Sequence, residues 1–284
     1  MNKAKATIHG AVSIVNAIAT QKGATLGIEL KVTAIVKATP GKGISIQSEN
    51  KNLSSRLINK TIQKIVSEKE LAKNEISVNL SSEIPVGYGL KSSSAISTSV
   101  ALACAKIFKP HLNDQQILRA GVDASIETKV SITGAYDDAC ACYFGGFNVT
   151  NNEKKRRIRY EKAPSNLVAV IFLPHNRKRG NVKNLKILSS IFENAWDLAR
   201  KSKYWDAMIM NGLATSAILN SDSRIITTLI ERGALGASVS GNGPAIAAVV
   251  KKESEAEIRK VFSEMEGTII SSKVNNKRAE VYEL

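Results

Sequence analysis

Apolar and polar side chains alternate through Leu26, Ile28, Leu30, Val32, Ala34 and Val36, and again at Ile44 and Ile46 beyond Pro40-Gly41-Lys42-Gly43. A period of two with that break predicts two strands joined as a hairpin. From Leu53 the apolar positions fall at 53, 57, 58, 62, 65 and 66, the spacing of a helix, with Asn52 as its N-cap. Ile76, Val78 and Leu80 return to the strand period until Pro85-Val86-Gly87-Tyr88-Gly89 breaks it. A helix with Ile96, Val100, Cys104 and Ile107 on one face follows, stopped by Pro110; another runs from a cap at Asn113 or Asp114 to about Lys129. The glycine loop of SITGAYDDACACYFGGFNV leads to a strand, and the polar run 151–157 reads as the passage to a second domain. That half offers a buried strand at 167–173, helices over 182–232, a strand–turn–strand at 236–250, a helix from Ser254 and two final strands. The segment 11–19 resembles a leader core behind lysines 3 and 5, but His9, Ser13 and Asn16 interrupt it, so it reads as part of the fold.

At 284 residues the chain suits one large domain or two packed ones. Cys104, Cys140 and Cys142 form no C-x-x-C pair, and no apolar run approaches a membrane span. A soluble, cytoplasmic protein with buried thiols is expected. The formal charge of +15 is spread along the chain, and its local concentrations at 154–159 and 177–179 lack the interleaved aromatics of a single-strand binder. A basic RNA-binding protein stays a rival reading on charge alone.

The chemistry concentrates at IPVGYGLKSSSA, residues 84–95. Phosphate binding needs many donors, little bulk and a positive local field, which a glycine turn feeding a helix N-terminus supplies. Gly87 and Gly89 admit close backbone approach, Ser92, Ser93 and Ser94 bring hydroxyls and amides, and Lys91 adds charge. Ser93 or Ser94 could give a hydroxyl to Mg2+. The glycine spacing fits neither a G-x-x-x-x-G-K-S/T loop nor a dinucleotide fingerprint, and a serine-capped strand-to-helix connection would look similar.

The same run resembles the second motif of the GHMP kinases, whose usual form is Pro-x-x-x-Gly-Leu-Gly-Ser-Ser-Ala, and GASVSGNGPAIAAVV at 236–250 resembles their third, C-terminal glycine motif. Lys91 in place of the usual glycine, with the segment 9–28, is most similar to the archaeal type of shikimate kinase. The resemblance implies an α+β GHMP kinase fold with an N-terminal ribosomal-protein-like domain, 1–150, and a ferredoxin-like C-terminal domain, 151–284. It implies ATP with Mg2+, shikimate as acceptor at its 3-hydroxyl, and no nucleic acid or membrane partner; homoserine kinase is the rival within the family. Pro85, Val86, Gly87, Tyr88, Gly89, Leu90, Lys91, Ser92, Ser93, Ser94 and Ala95, with Gly241 and Gly243, are then the nucleotide residues. Gly134-x-x-Asp137 resembles the family's acceptor-facing aspartate loop, making Asp137 the base or orienter and Asp138 its competitor. Glu127 matches a magnesium-binding glutamate in position, Lys5 and Lys91 compete for the lysine beside the aspartate, and Arg177 and Arg179 could grip a carboxylate.

Overall fold

The computed structural model describes residues 2–49, 53–178 and 180–284. Its first sheet is founded on β1 (Asn2–Val15) and the long β2 (Lys22–Pro40), antiparallel neighbours in register from Asn2 opposite Ala38 to Val15 opposite Ala24. Ala11, Val12, Ile14 and Val15 are wholly buried, so the leader-like segment 11–19 begins in a core strand and ends in the turn that follows it.

The hairpin expected across 40–43 does not pair. β3 (Gly43–Ser48) runs parallel to β4 (Asn74–Ser82), and β4 lies antiparallel to β2, so β4 separates the two strands that the turn connects. The connection that makes this possible is α1 (Ser55–Ile65) with the short α2 (Glu68–Leu71). The cap expected at Asn52 falls outside the described residues. Ser54 caps α1 instead, its hydroxyl accepting from the Leu57 N–H at 3.2 Å, a contribution of about 1 kcal/mol.

Three further helices cover this sheet: α3 (Ser92–Phe108), α4 (Asp114–Glu127) and α5 (Tyr136–Phe144). Alanine, serine and threonine let α3 pack closely on all sides, so it is buried around its circumference rather than on the one face its apolar spacing suggests. Asn113 caps α4 with a capping box closed by Gln116. The sheet then continues through β5 (Phe147–Asn151), which pairs with β2, and β6 (Arg156–Glu161), which pairs with β5. The polar run 151–157 is therefore the turn of a hairpin. The chain leaves the first sheet after Glu161 rather than at 150, and β11 (Glu280–Glu283) later returns to pair with β1.

The second sheet holds β7 (Leu167–Pro174), β8 (Gly236–Val239), β9 (Ile246–Lys251) and β10 (Gly267–Lys273) in the order β10-β7-β9-β8, all antiparallel. That order is the split β-α-β arrangement of the ferredoxin-like fold. A 3₁₀ segment (Val182–Leu188), α6 (Ser189–Arg200), α7 (Tyr204–Leu219), α8 (Ser223–Glu231) and α9 (Glu255–Ser263) accompany it. The three cysteines are buried free thiols, and among the described residues no helix is long and apolar enough to cross a membrane.

The two glycine turns meet where the sheets join. The Ser240 hydroxyl donates to the Gly89 carbonyl at 2.9 Å, and the Ala245 N–H to the Tyr88 carbonyl at 3.2 Å. Gly89 has φ +83°, and a Cβ there would lie 1.9 Å from the Ser240 carbonyl oxygen, so only glycine permits this crossing. Gly89→Ala is expected to lower stability by about 3 kcal/mol or more, read as a large fall in the unfolding midpoint; an unchanged midpoint would show that the turns separate without cost.

Candidate functional site

The loop between β4 and α3 carries the glycine- and serine-rich run, and the helix that follows opens on it without a side-chain cap. Lys91, in the N-cap position, takes a left-handed conformation with φ +68° and makes no capping hydrogen bond. The first turn of α3 therefore presents its N–H groups toward a cleft of about 220 Å³. Gly87, Gly89 and Lys91–Ser94 line one wall, Ser13 of β1 with Asn16, Ala17 and Ile18 just beyond it another, and Ser131–Thr133, Asp137, Asp138 and Gly241 are among the residues opposite.

Lys91 folds back into this cleft, its side chain 5 % exposed. Its ammonium lies 3.0 Å from Asp138 Oδ1 and donates to Ser13 Oγ at 2.7 Å. Gly241, with φ +56°, leaves room for it: a Cβ would stand 2.9 Å from Lys91 Nζ and 3.0 Å from the Gly89 carbonyl. A primary ammonium so deeply buried needs such partners. Lys91 thus takes the place beside the carboxylates; Lys5 lies on β1, where it pairs across to Ile35, and is absent from the cleft lining.

Asp137 and Asp138 open α5 after a turn in which Gly134 has φ +74° and Ala135 φ +53°. Being adjacent on a helix, they point about 100° apart. Asp138 meets Lys91. Asp137 is 3 % exposed and turns inward, where Asn152 donates to its Oδ1 at 2.7 Å and accepts from its N–H at 3.1 Å. Its other oxygen sits against β2, since a Cβ on Gly23 would come within 2.3 Å of Oδ2. Burial, reinforced by the neighbouring Asp138 charge, pushes the Asp137 carboxyl up to about 7, with Lys91 and Asn152 opposing.

Several residues belong elsewhere. Glu127 pairs with Lys60 at 2.9 Å and with Lys64, the ammonium groups holding its carboxyl below the ordinary range, and it stands outside this cleft. The expectation of a metal ligand is replaced by an ion pair between α4 and α1. Arg177 stacks on Tyr88, its guanidinium 4.5 Å from the ring centroid and its Nε donating to the hydroxyl at 3.1 Å, so it lies over the phosphate loop rather than in the cleft. Arg179 is outside the described residues. Among the described residues no group of three or more His, Cys, Asp or Glu could hold a metal ion. The donor set nevertheless fits a magnesium nucleotide, because magnesium takes most of its ligands from phosphate and water and needs only a hydroxyl such as that of Ser93, half-buried in the cleft wall. The glycine crossing and the open first turn of α3 fit the phosphates.

Ser13, Asn16 and Asn152 were not legible as site residues. The amide of Asn16 donates to the Gly241 carbonyl at 2.7 Å, while its N–H donates to Asn211 Oδ1 at 2.8 Å, tying β1 to the third glycine turn and α7. The one signal was the polarity of Ser13 and Asn16 within an apolar segment; Asn152, in the polar run 151–157, gave none.

Comparison with known proteins bears on this arrangement. A family model described as GHMP kinases N terminal domain matches residues 52–146, and one described as GHMP kinases C terminal matches residues 218–265. A shikimate kinase from Methanosarcina acetivorans is 38% identical over 96% of this chain and 95% of its own length. One from Methanobrevibacter smithii is 34% identical over 94% and 95%, respectively. Among solved structures, a homoserine kinase from Cytophaga hutchinsonii superposes with TM-score 0.77 at 17% identity, covering 99% of this chain and 98% of that one. A Methanococcus jannaschii mevalonate kinase gives 0.74 at 18%, covering 96% and 98%. At those identities the structural matches speak for the fold.

The Asp137 carboxyl predicts a pH signature. A carboxyl whose folded pKa is raised binds its proton more tightly in the folded protein, so its contribution to stability is present below about pH 4 and lost as pH rises through about 7. Asp137→Asn removes that loss. At pH 8 the variant is expected to melt a few degrees above the parent, on the order of 2 kcal/mol, with the gap closing toward pH 5. Thermal melts across that range check it, and a pH-independent gap would refute the raised carboxyl.

Proposed function

The chain belongs to the GHMP kinase family, and we propose that within it this protein is the enzyme that transfers the ATP γ-phosphoryl group to the 3-hydroxyl of shikimate. The observation that carries the reading is the Lys91–Asp138 pair, 3.0 Å apart at the mouth of the helix N-terminus. It sets a carboxylate and a positive charge beside a phosphate cradle, which is what transfer to an alcohol requires. The near full-length relatives, named as shikimate kinases, supply the acceptor.

Bound ATP with magnesium supplies the phosphoryl group and part of its charge neutralisation. The amides at the start of α3, the hydroxyls of Ser92, Ser93 and Ser94 and the backbone around Gly87, Gly89, Gly241 and Gly243 would hold the phosphates, and Ser93 would offer its hydroxyl to magnesium. Pro85, Val86, Tyr88, Leu90 and Ala95 shape the same loop. Asp138 orients the acceptor hydroxyl and takes its proton as the oxygen bonds to phosphorus and the bond to the ADP oxygen breaks. Lys91 offsets the charge gathering on the transferred group.

In this proposal Asp138, rather than Asp137, takes the part of base, and two contacts support that order. Asp137 is shut in by Asn152 and Gly23, whereas Asp138 faces the cleft and has Lys91 as partner. Asp137 supports the turn that aims its neighbour. Arg177, exposed over Gly87 and Tyr88, is placed to meet an anion at the loop; a role in holding the acceptor carboxylate has no contact in the cleft to support it.

Asp138→Asn is expected to lower kcat by roughly two to four orders of magnitude with ATP affinity nearly unchanged, and Asp137→Asn by less than about tenfold. Steady-state kinetics with calorimetric ATP binding measures both; the opposite ranking would return the role to Asp137. An ADP-release assay across shikimate, homoserine, mevalonate and galactose tests the acceptor, and turnover confined to homoserine would sink the shikimate reading.

A further inference from the structure

The Ser13 side chain has no part in the chemistry described so far, yet it is 1 % exposed at the centre of the cleft. Its oxygen accepts two hydrogen bonds, from Lys91 Nζ at 2.7 Å and from the Gly241 N–H at 2.8 Å. Its own N–H donates to Ser240 Oγ at 3.3 Å, and the Ser240 hydroxyl passes to the Gly89 carbonyl. One hydroxyl on β1 thereby joins the phosphate loop to the third glycine turn.

A hydroxyl oxygen has two lone pairs, and both are engaged by N–H donors. Lys91 donates one of its three N–H groups to Ser13, and its charge is paired with Asp138 Oδ1 at 3.0 Å. These two contacts fix the ammonium in direction as well as in place. A lysine side chain has four rotatable carbons and a weak directional preference of its own, so without Ser13 only the pair with Asp138 restrains it.

We infer that Ser13 is a positioning residue for phosphoryl transfer: held in place by the Gly241 N–H, its oxygen accepts from Lys91 and holds the ammonium beside Asp138. Resting on the kinase reading, this adds a residue on the first strand that acts only through Lys91. The alternative is a plain structural role, in which the hydroxyl merely satisfies buried donors.

A double-mutant cycle separates the two. Ser13→Ala, Lys91→Met and the double variant are compared by kcat and KM with ATP and shikimate, and by the unfolding midpoint of the ligand-free protein. Positioning predicts that Ser13→Ala lowers kcat about 10- to 100-fold with KM for ATP within about threefold. It further predicts that the same change made on Lys91→Met costs less than about threefold in kcat and shifts the midpoint less than it does in the parent. Equal losses in both backgrounds, or a raised KM with kcat intact, would overturn it. Should Ser13→Ala fail to fold, Ser13→Cys, close in shape but a poor acceptor, takes its place in the cycle. If the parent enzyme leaves shikimate untouched, the functional reading falls, while the unfolding cycle still reports whether Ser13 and Lys91 are coupled.

Discussion

The Lys91 ammonium is buried where sheet, phosphate loop and glycine turn converge, and a charge in that position must be balanced inside the protein. Asp138 balances it, Ser13 directs it, and Gly241 yields the space it occupies. Each partner comes from a different part of the chain, so the ammonium can be satisfied only when β1, α5 and the turn after β8 have all arrived. Assembly of the fold and assembly of the site are thus the same event. The helix N-terminus nearby is strongly electropositive, and without Asp138 a lysine there would be repelled by the same field that suits a phosphate.

Two aspartates in succession illustrate what a helix does with identical chemistry. Asp137 is turned into the protein, where it supports the turn through Asn152, and burial raises its pKa. Asp138 is turned out toward the cleft, where Lys91 meets it. The two environments differ accordingly: Asn152 ties one carboxylate to the protein interior, and an ammonium faces the other.

The candidate phosphate loop stood out in the sequence because its chemistry is local, glycines, serines and a lysine falling within a dozen residues. The aspartates stood out as a pair, while sequence alone gives no reference for which direction around α5 faces the cleft. Ser13 and Asn16 were hidden because their partner Gly241 is distant in sequence, and Asn152 because a turn asparagine acquires meaning only from the Asp137 carboxylate it faces. Glu127 misled for the same reason: its spacing from the aspartates was suggestive, but Lys60 and Lys64 lie on a helix whose position no spacing discloses. Alternation identified β2 and β3 as strands and which side chains share a face, and was silent on which strand would be the neighbour.

That last point bears on how the chain reaches this structure. β1 and β2 can zip together early, being connected by a short turn, but the other edge of β2 must wait for β4, which follows two helices. β3, although synthesised before β4, has no edge to join until β4 is in place. The sheet therefore grows out of sequence order. Such long-range pairing slows folding, because chain entropy is lost before the contacts that reward it form. Until then β2 presents unpaired N–H and C=O groups flanked by alternating apolar side chains, the kind of edge on which another chain can add. Docking of the α1–α2–β4 unit is what closes that edge.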